Sequence, residues 1–148
     1  MSDKKPDYPG RNNIRGLVQD LAEQFDAIAD ALREETVFAG TRPKDAKTFM
    51  LISRQARGIS DLAKALQISR QATHKSVQRL IVAGVVELNY VEGSRRDMIA
   101  SITPAGLEAR KVGLHIAGKV EAQAEARIGK ARLEAFRQTL QDLTRRED

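Results

Sequence analysis

The stretch Ile59-Ser60-Asp61-Leu62-Ala63-Lys64-Ala65-Leu66-Gln67-Ile68-Ser69-Arg70-Gln71-Ala72-Thr73-His74-Lys75-Ser76-Val77-Gln78-Arg79-Leu80 decides how this chain is read. Ser60 is placed to cap a short helix over 61–66, and Ser69 a second over 70–83. A serine hydroxyl there can accept one of the orphan amides of a helix's first turn. Only Gln67 and Ile68 separate the two helices, and Ile68 is apolar and able to plug their crossing. Gly84 closes the second helix. From there the period changes to two, so Val85 to Val91 predicts a strand and Met98 to Ile102 a return strand, with the turn over Glu92 to Arg96. Thr103-Pro104 then starts a further helix, since proline fits the first helical position.

Outward from that block the spacing is helical on both sides. After Asn12-Asn13, a candidate cap, the apolar residues Ile14, Leu17, Val18, Leu21, Phe25, Ile28 and Leu32 recur in steps of three and four, predicting an amphipathic helix over about 13–38. Arg42-Pro43 opens another, with Ala46, Phe49, Met50 and Ser53 on one face and Gly58 as its stop. On the far side a long helix runs from Pro104 to about Ile128, dotted with Leu107, Val112, Leu114, Ile116 and Val120. Gly129 breaks it, and a last helix carries Leu133, Phe136, Leu140 and Leu143. Residues 1–12, with two prolines and Gly10, read as a flexible arm. The expected organisation is one domain over 13–148, with a core at about 43–103 between helices at about 13–38 and 104–146.

Composition narrows the function. The chain has 148 residues, 41% hydrophobic and 30% charged, as a globular domain does. Its longest apolar run is seven residues, Leu80 to Val86, against the roughly 20 a membrane helix needs. The charged start, Met1-Ser2-Asp3-Lys4-Lys5-Pro6, has no apolar stretch behind it for secretion, so a cytoplasmic protein is expected. No cysteine is present, which excludes disulfides, thiol redox sensing and cysteine–zinc sites. Two histidines, His74 and His115, lie 41 positions apart and do not make a metal site; no cofactor is expected. His115, between Leu114 and Ile116, reads as an interface or core residue. The net charge is +5. All of that excess sits between Ser53 and Arg96, where eight bases face three acids. A basic segment in a neutral frame is the footprint of a polyanion binder.

Two helices joined by a tight turn, then a hairpin with a basic tip, make a winged helix-turn-helix. The fold class expected is therefore mainly α with a small β-hairpin wing, flanked by long N- and C-terminal dimerisation helices. On the helix from Arg70, Thr73, Ser76, Val77 and Leu80 share one face, while Arg70, Gln71, His74, Lys75 and Gln78 share the other. Gln can bond bidentately to adenine and Lys or Arg to guanine, so this face can read base edges. The amides that start the helix, near Ser69 and Ala72, can hold a phosphate. Arg95 and Arg96, at the hairpin tip, suit the negative potential of a narrow minor groove.

The residues also carry a family resemblance. The run from Ile59 to Ser69 looks like the first helix and turn of many bacterial repressors. Arg70 to Leu80, closing at Gly84-Val85-Val86, resembles a recognition helix. Ser94-Arg95-Arg96 and Ser101-Ile102-Thr103-Pro104-Ala105-Gly106 are similar to the wing and following helix start of the MarR family. Ser94 stands where that family's wing carries an aspartate, and Asp97, directly after Arg96, can substitute as the acid beside the wing arginine. The resemblance implies a homodimeric repressor of a palindromic operator, released by a small-molecule effector. Double-stranded DNA and a second copy are the implied partners. Packing points the same way, because the stripe Leu133, Phe136, Leu140, Leu143 would lie bare on a lone subunit. Twofold pairing would set two recognition helices about 34 Å apart, one helical turn of DNA. The alternative is a winged-helix protein that binds DNA non-specifically or binds protein partners, without ligand sensing. No nucleophile, base or carboxylate pair makes a catalytic set, so no enzyme is expected. Ser60, Asp61 and His74 are better used as cap, first-turn charge and groove reader.

Overall fold

The helix pair at the centre forms through two different devices at one turn. In the computed structural model, which describes residues 12–94 and 97–145, the first of the pair (α3, Ile59–Leu66) ends at Gln67 and the second (α4, Arg70–Val82) begins after Ser69. Gln67 takes the left-handed conformation, φ +56°, and is the one described non-glycine residue to do so. Its amide reaches back to Ala63 and Lys64, and the Ile68 amide bonds Ala63 O at 3.2 Å. Ser69 caps the second helix by accepting from the Ala72 amide at 3.0 Å. Ser60 does not cap the first: Gly58 holds the N-cap position and Ile59 is already inside the helix and buried.

The other described elements are α1 (Ile14–Arg33), α2 (Pro43–Arg54), β1 (Arg57–Gly58), β2 (Val86–Tyr90), β3 (Met98–Ile102), α5 (Pro104–Ile128) and α6 (Lys130–Thr144). The sheet has three strands rather than two, in the order β1-β3-β2, both pairings antiparallel. Arg57 lies opposite Ala100, and β2 runs in register from Val86↔Ile102 to Tyr90↔Met98. Gly58, expected to stop a helix, therefore belongs to a strand. The first helix is also shorter than expected. Asn13 caps it through the Gly16 amide, but it ends at Arg33. Beyond it the Thr36 hydroxyl accepts from the Phe38 amide and the Glu34 carboxylate from the Gly40 amide, replacing helical bonds with turns.

The described residues fall into two compact units. One covers residues 34–116, and the other residues 12–33 with 117–145, so that α5 contributes to both. In the first, Ile52, Ile59, Leu62, Val77, Leu80, Val85, Val86, Ala100 and Ala109 form the core. Each large aliphatic side chain buried there is worth about 1.5–3 kcal/mol relative to exposure. The first residues of α5 are locked to the end of α4. The Thr103 hydroxyl bonds Gly84 O and accepts from the Gly106 amide, and the Thr103 amide bonds Val85 O. Gly106 is buried directly on that carbonyl.

In the second unit α5 and α6 meet at a corner of one residue, Gly129, at φ +86°. Glu121 on α5 and Arg137 on α6 close it with a two-pronged ion pair, 2.7 and 3.0 Å. The Arg137 hydrogen bond holds the Glu121 carboxyl below its usual range, against the raising effect of its desolvation. Val120 and Leu133 are buried. The stripe expected to lie bare is therefore corrected: α6 folds back on α5, so Leu133 is covered, Phe136 and Leu140 are half-buried, and of the four Leu143 alone, at 73% exposed, is bare. No residue of α1 is buried, and Ile14 at its start is 72% exposed.

Two expected faces are corrected. On α2 the buried residues are Asp45, Thr48 and Ile52; Ala46, Phe49 and Ser53 are half-buried and Met50 is exposed. His115 is exposed, so it is not a core histidine, and its neighbour Leu114 is exposed too. α5 instead buries Gly106, Ala109, Ile116 and Val120. No described helix is long and apolar enough to cross a membrane.

Candidate nucleic-acid interface

The site is built on α4, whose two faces divide cleanly. Thr73, Ser76 and Val77 have no exposed surface and Leu80 is buried, all turned toward α2, α3 and the sheet. Arg70, Gln71, His74, Lys75 and Gln78 are exposed, and Ala72 between them is half-buried. The expected reading face and anchoring face are thus on opposite sides of one helix. His74 and Gln78, one turn apart, bring their side-chain nitrogens to 3.4 Å. Ser69 is exposed at the helix start with its hydroxyl committed to the cap. Its carbonyl accepts from the Thr73 hydroxyl at 2.9 Å.

A network that the sequence reading missed anchors this helix. Asp45 of α2, buried, accepts from Arg79 Nε at 2.7 Å, Arg79 Nη2 at 2.9 Å and the Ser76 hydroxyl at 2.7 Å. The Ser76 and Thr48 hydroxyls stand 2.9 Å apart. Burial pushes the Asp45 carboxyl up, but the Arg79 and Ser76 hydrogen bonds and the Arg79 and Arg42 charges outweigh it, so the carboxyl titrates below its usual range. The same hydrogen bond raises Arg79 above the ordinary guanidinium value. A lone aspartate in an otherwise mixed helix gives no periodic signal. Its partners 31 and 34 positions away are invisible until the chain folds.

The β2–β3 ladder is extended by one bond past the strands, and the turn begins there. The Val91 amide bonds Asp97 O at 2.8 Å and the Ser94 amide bonds Val91 O at 2.9 Å. Gly93 turns the chain at φ +80°, and Ser94 and Asp97 bond to each other through the serine hydroxyl. Arg95 and Arg96, expected at the tip, lie outside the described residues.

This order of helices and strands, with the helix pair set beside a three-stranded sheet and long helices at both ends, is shared by solved structures of bacterial and archaeal regulators. A MarR transcriptional regulator from Methanosarcina mazei superposes with a TM-score of 0.73 at 17% identity, over 88% of this chain and 92% of that one. The fold is that of the MarR regulators. Within the MarR-type fold, Mycobacterium tuberculosis Rv2887, solved with salicylic acid, matches at TM-score 0.71 and 18% identity, over 97% of this chain and 99% of that one. Streptococcus pneumoniae FabT, solved with DNA, matches at 0.70 and 15% identity, over 88% and 92%. No protein-family model and no curated protein matches the sequence.

The MarR-type fold here also carries an open cleft of about 490 Å³ between the turns after α1 and the middle of α5, lined by Glu35, Thr36, Val37, Lys111, Val112 and His115. Lys111 is held by Glu108 at 2.9 Å, one turn before it. Among the described residues no cluster of histidine and carboxylates could hold a metal ion.

Proposed function

We propose that this chain is a MarR-type transcriptional regulator that binds double-stranded DNA sequence-specifically, as a homodimeric repressor of a palindromic operator in the cytoplasm. One observation carries the reading. Five polar or basic side chains, Arg70, Gln71, His74, Lys75 and Gln78, stand exposed on a helix whose opposite face is fully anchored. That is the requirement for a helix to enter the major groove and meet base edges. Ser69 and Ala72 lie where the helix start approaches phosphate, Arg96 is assigned to the minor groove beside it, and Arg95 to a phosphate. FabT's solution with DNA supports the assignment by likeness of fold.

The reading core is placed at about 43–103, with dimerisation through the helices at about 13–38 and 104–146. Leu143, Ile14, Leu17 and Val18 are bare apolar surface on both end helices, which a second copy would cover. An effector is assigned to the cleft lined by Val37, Val112, Lys111 and His115, where an anionic aromatic ligand would meet the two apolar side chains and compete with Glu108 for Lys111. Rv2887's solution with salicylic acid supports that class.

Selection of genomic fragments by the purified protein is the test. Enrichment of one palindrome is expected. Uniform recovery of all fragments in proportion to length would leave a non-specific binder instead.

A further inference from the structure

α4 is attached to α2 by contacts of two kinds. Ile52 with Val77 and Leu80 is apolar packing. Such packing is non-directional, and one helix can rotate a little against the other at small cost. Asp45 with Ser76 and Arg79 is different. Three hydrogen bonds of 2.7 to 2.9 Å converge on one carboxylate, two of them from a single guanidinium. Charge-assisted paired bonds of this kind fix angle as well as distance.

The anchors are interleaved with the DNA-facing residues. Ser76 follows Lys75 and Arg79 follows Gln78, so the buried serine and the half-buried arginine each sit about 100° around the helix from an exposed neighbour. Side-chain ends on α4 lie about 6 Å from the helix axis, so a rotation of ~10° displaces them by about 1 Å. Hydrogen bonds to base edges tolerate only about 0.5 Å. Non-directional phosphate attraction tolerates far more.

We propose that Asp45, Ser76 and Arg79 form a clamp that sets the rotational position of α4, and thereby the base preference of Gln71, His74, Lys75 and Gln78, without touching DNA. Asp45 and Ser76 are buried, 5% and 0% exposed, so neither can meet a base. The clamp costs desolvation of a carboxylate and a guanidinium, and apolar replacements of similar volume often hold a fold together as well or better. Its contribution is therefore orientation more than stability. The DNA part of the inference rests on the proposed function above; the orientation part does not.

The test replaces the clamp by apolar volume, Asp45→Leu with Ser76→Ala and Arg79→Met, in the full chain. Thermal unfolding, affinity for the selected site and for random duplex across a salt series are measured. Because the chain has no cysteine, two can be introduced at exposed Lys44 and Lys75 for spin labels, and the distance distribution between α2 and α4 read without DNA. The variant is expected to stay folded and to bind random duplex within about twofold, with an unchanged salt slope. Its preference for the selected site should fall about tenfold or more, the scale of one lost base contact. The label distribution should broaden. Unchanged preference or an unchanged distribution overturns the clamp, and a flatter salt slope would make Arg79 a phosphate contact instead. Should the triple variant unfold, Ser76→Ala alone carries the same readouts, with an expected loss of preference of about two- to tenfold. If the parent chain prefers no duplex at all, the regulator reading fails, and the label distribution still decides the clamp.

Discussion

Replacing Gly106 by alanine puts a methyl carbon against the carbonyl oxygen of Val85, far inside the ~3.3 Å at which carbon and carbonyl oxygen ordinarily meet. The same carbon would stand 3.0 Å from Ile102 Cβ and 3.2 Å from the Val85 carbonyl carbon. No side-chain rotation relieves this, because the obstacle is backbone. The start of α5 must retreat from Val85 by about 1 Å, taking ordinary contact distances as the target. That retreat pulls on the bond from the Thr103 amide to Val85 O, already 3.2 Å, and on the Thr103 hydroxyl bridging Gly84 and Gly106. Overpacking costs about 1–3 kcal/mol and a weakened buried hydrogen bond about 1 more, giving about 2–4 kcal/mol. For a chain of this size that lowers the melting temperature by roughly 5–15 °C. The control lies in the same helix. Gly113 has no atom within 4 Å of an added Cβ, so Gly113→Ala should stabilise by about 0.5–1 kcal/mol through helix propensity alone. Calorimetry of the two variants compares one chemical change with opposite expected signs. A Gly106→Ala protein that melts with or above the parent would refute the argument from close approach.

Other outcomes are expected at separate points of the molecule. Gln71→Ala and His74→Ala should each cost about 1–3 kcal/mol at the base pair concerned and leave random-duplex affinity nearly intact, in titrations at matched salt. Sedimentation should show a dimer at micromolar protein, weakened in a chain ending at Ile128; a monomeric full-length protein sinks the pairing of the end helices. Asp45→Asn should cost about 1–2 kcal/mol at neutral pH, discounted because Arg79 is 35% exposed. The folded carboxyl titrates below its unfolded value, so the parent's advantage is complete above the unfolded pKa and is lost as pH falls through the folded one. Denaturant titrations should therefore find the two proteins converging from about pH 4 downward, and a gap constant to pH 2 would mean the charge of Asp45 is not what stabilises. Gln67→Gly removes a left-handed penalty of about 1–2 kcal/mol but loosens the unfolded chain, so a net gain of up to about 1 kcal/mol is expected in the same titrations.

The central block was legible because its signals are local. Ser69 caps a helix within three residues, Gln67 and Ile68 are a turn by length alone, and Thr103-Pro104 marks a helix start with no help from the rest of the chain. The face of α4 followed from period, since Thr73, Ser76, Val77 and Leu80 are small or apolar at helical spacing. What escaped depended on distant contacts. β1 is two residues long and shows no alternation; only its pairing with β3 makes it a strand. On α2 the apolar residues suggested one face, yet Asp45 and Thr48 are inside because Ser76 and Arg79 meet them there. Ser60 looked like a cap, but with Ile59 buried the helix starts two residues earlier, after Gly58. The end of α1 was read too late because Val37 and Phe38 continue an apolar pattern, whereas Thr36 and Glu34 bend the backbone away from it.

The joint at Gly129 has a consequence for how this chain can change in length. A single residue separates a helix of 25 residues from one of 15, and Glu121 and Arg137 lie eight positions to either side of it. Adding one residue in the first turn of α6, before Leu133, would turn the rest of α6 by about 100° about its axis. Arg137 would then leave Glu121, Leu133 would rotate out to solvent, and an exposed residue would take its place. Deleting one residue would do the same in the opposite sense. The connection over 34–42 carries no such phase relation, because its turns are closed by their own side chains. Natural variants of this fold in this sequence lineage should therefore gain and lose residues between α1 and α2, and hold the spacing from Glu121 to Arg137 constant.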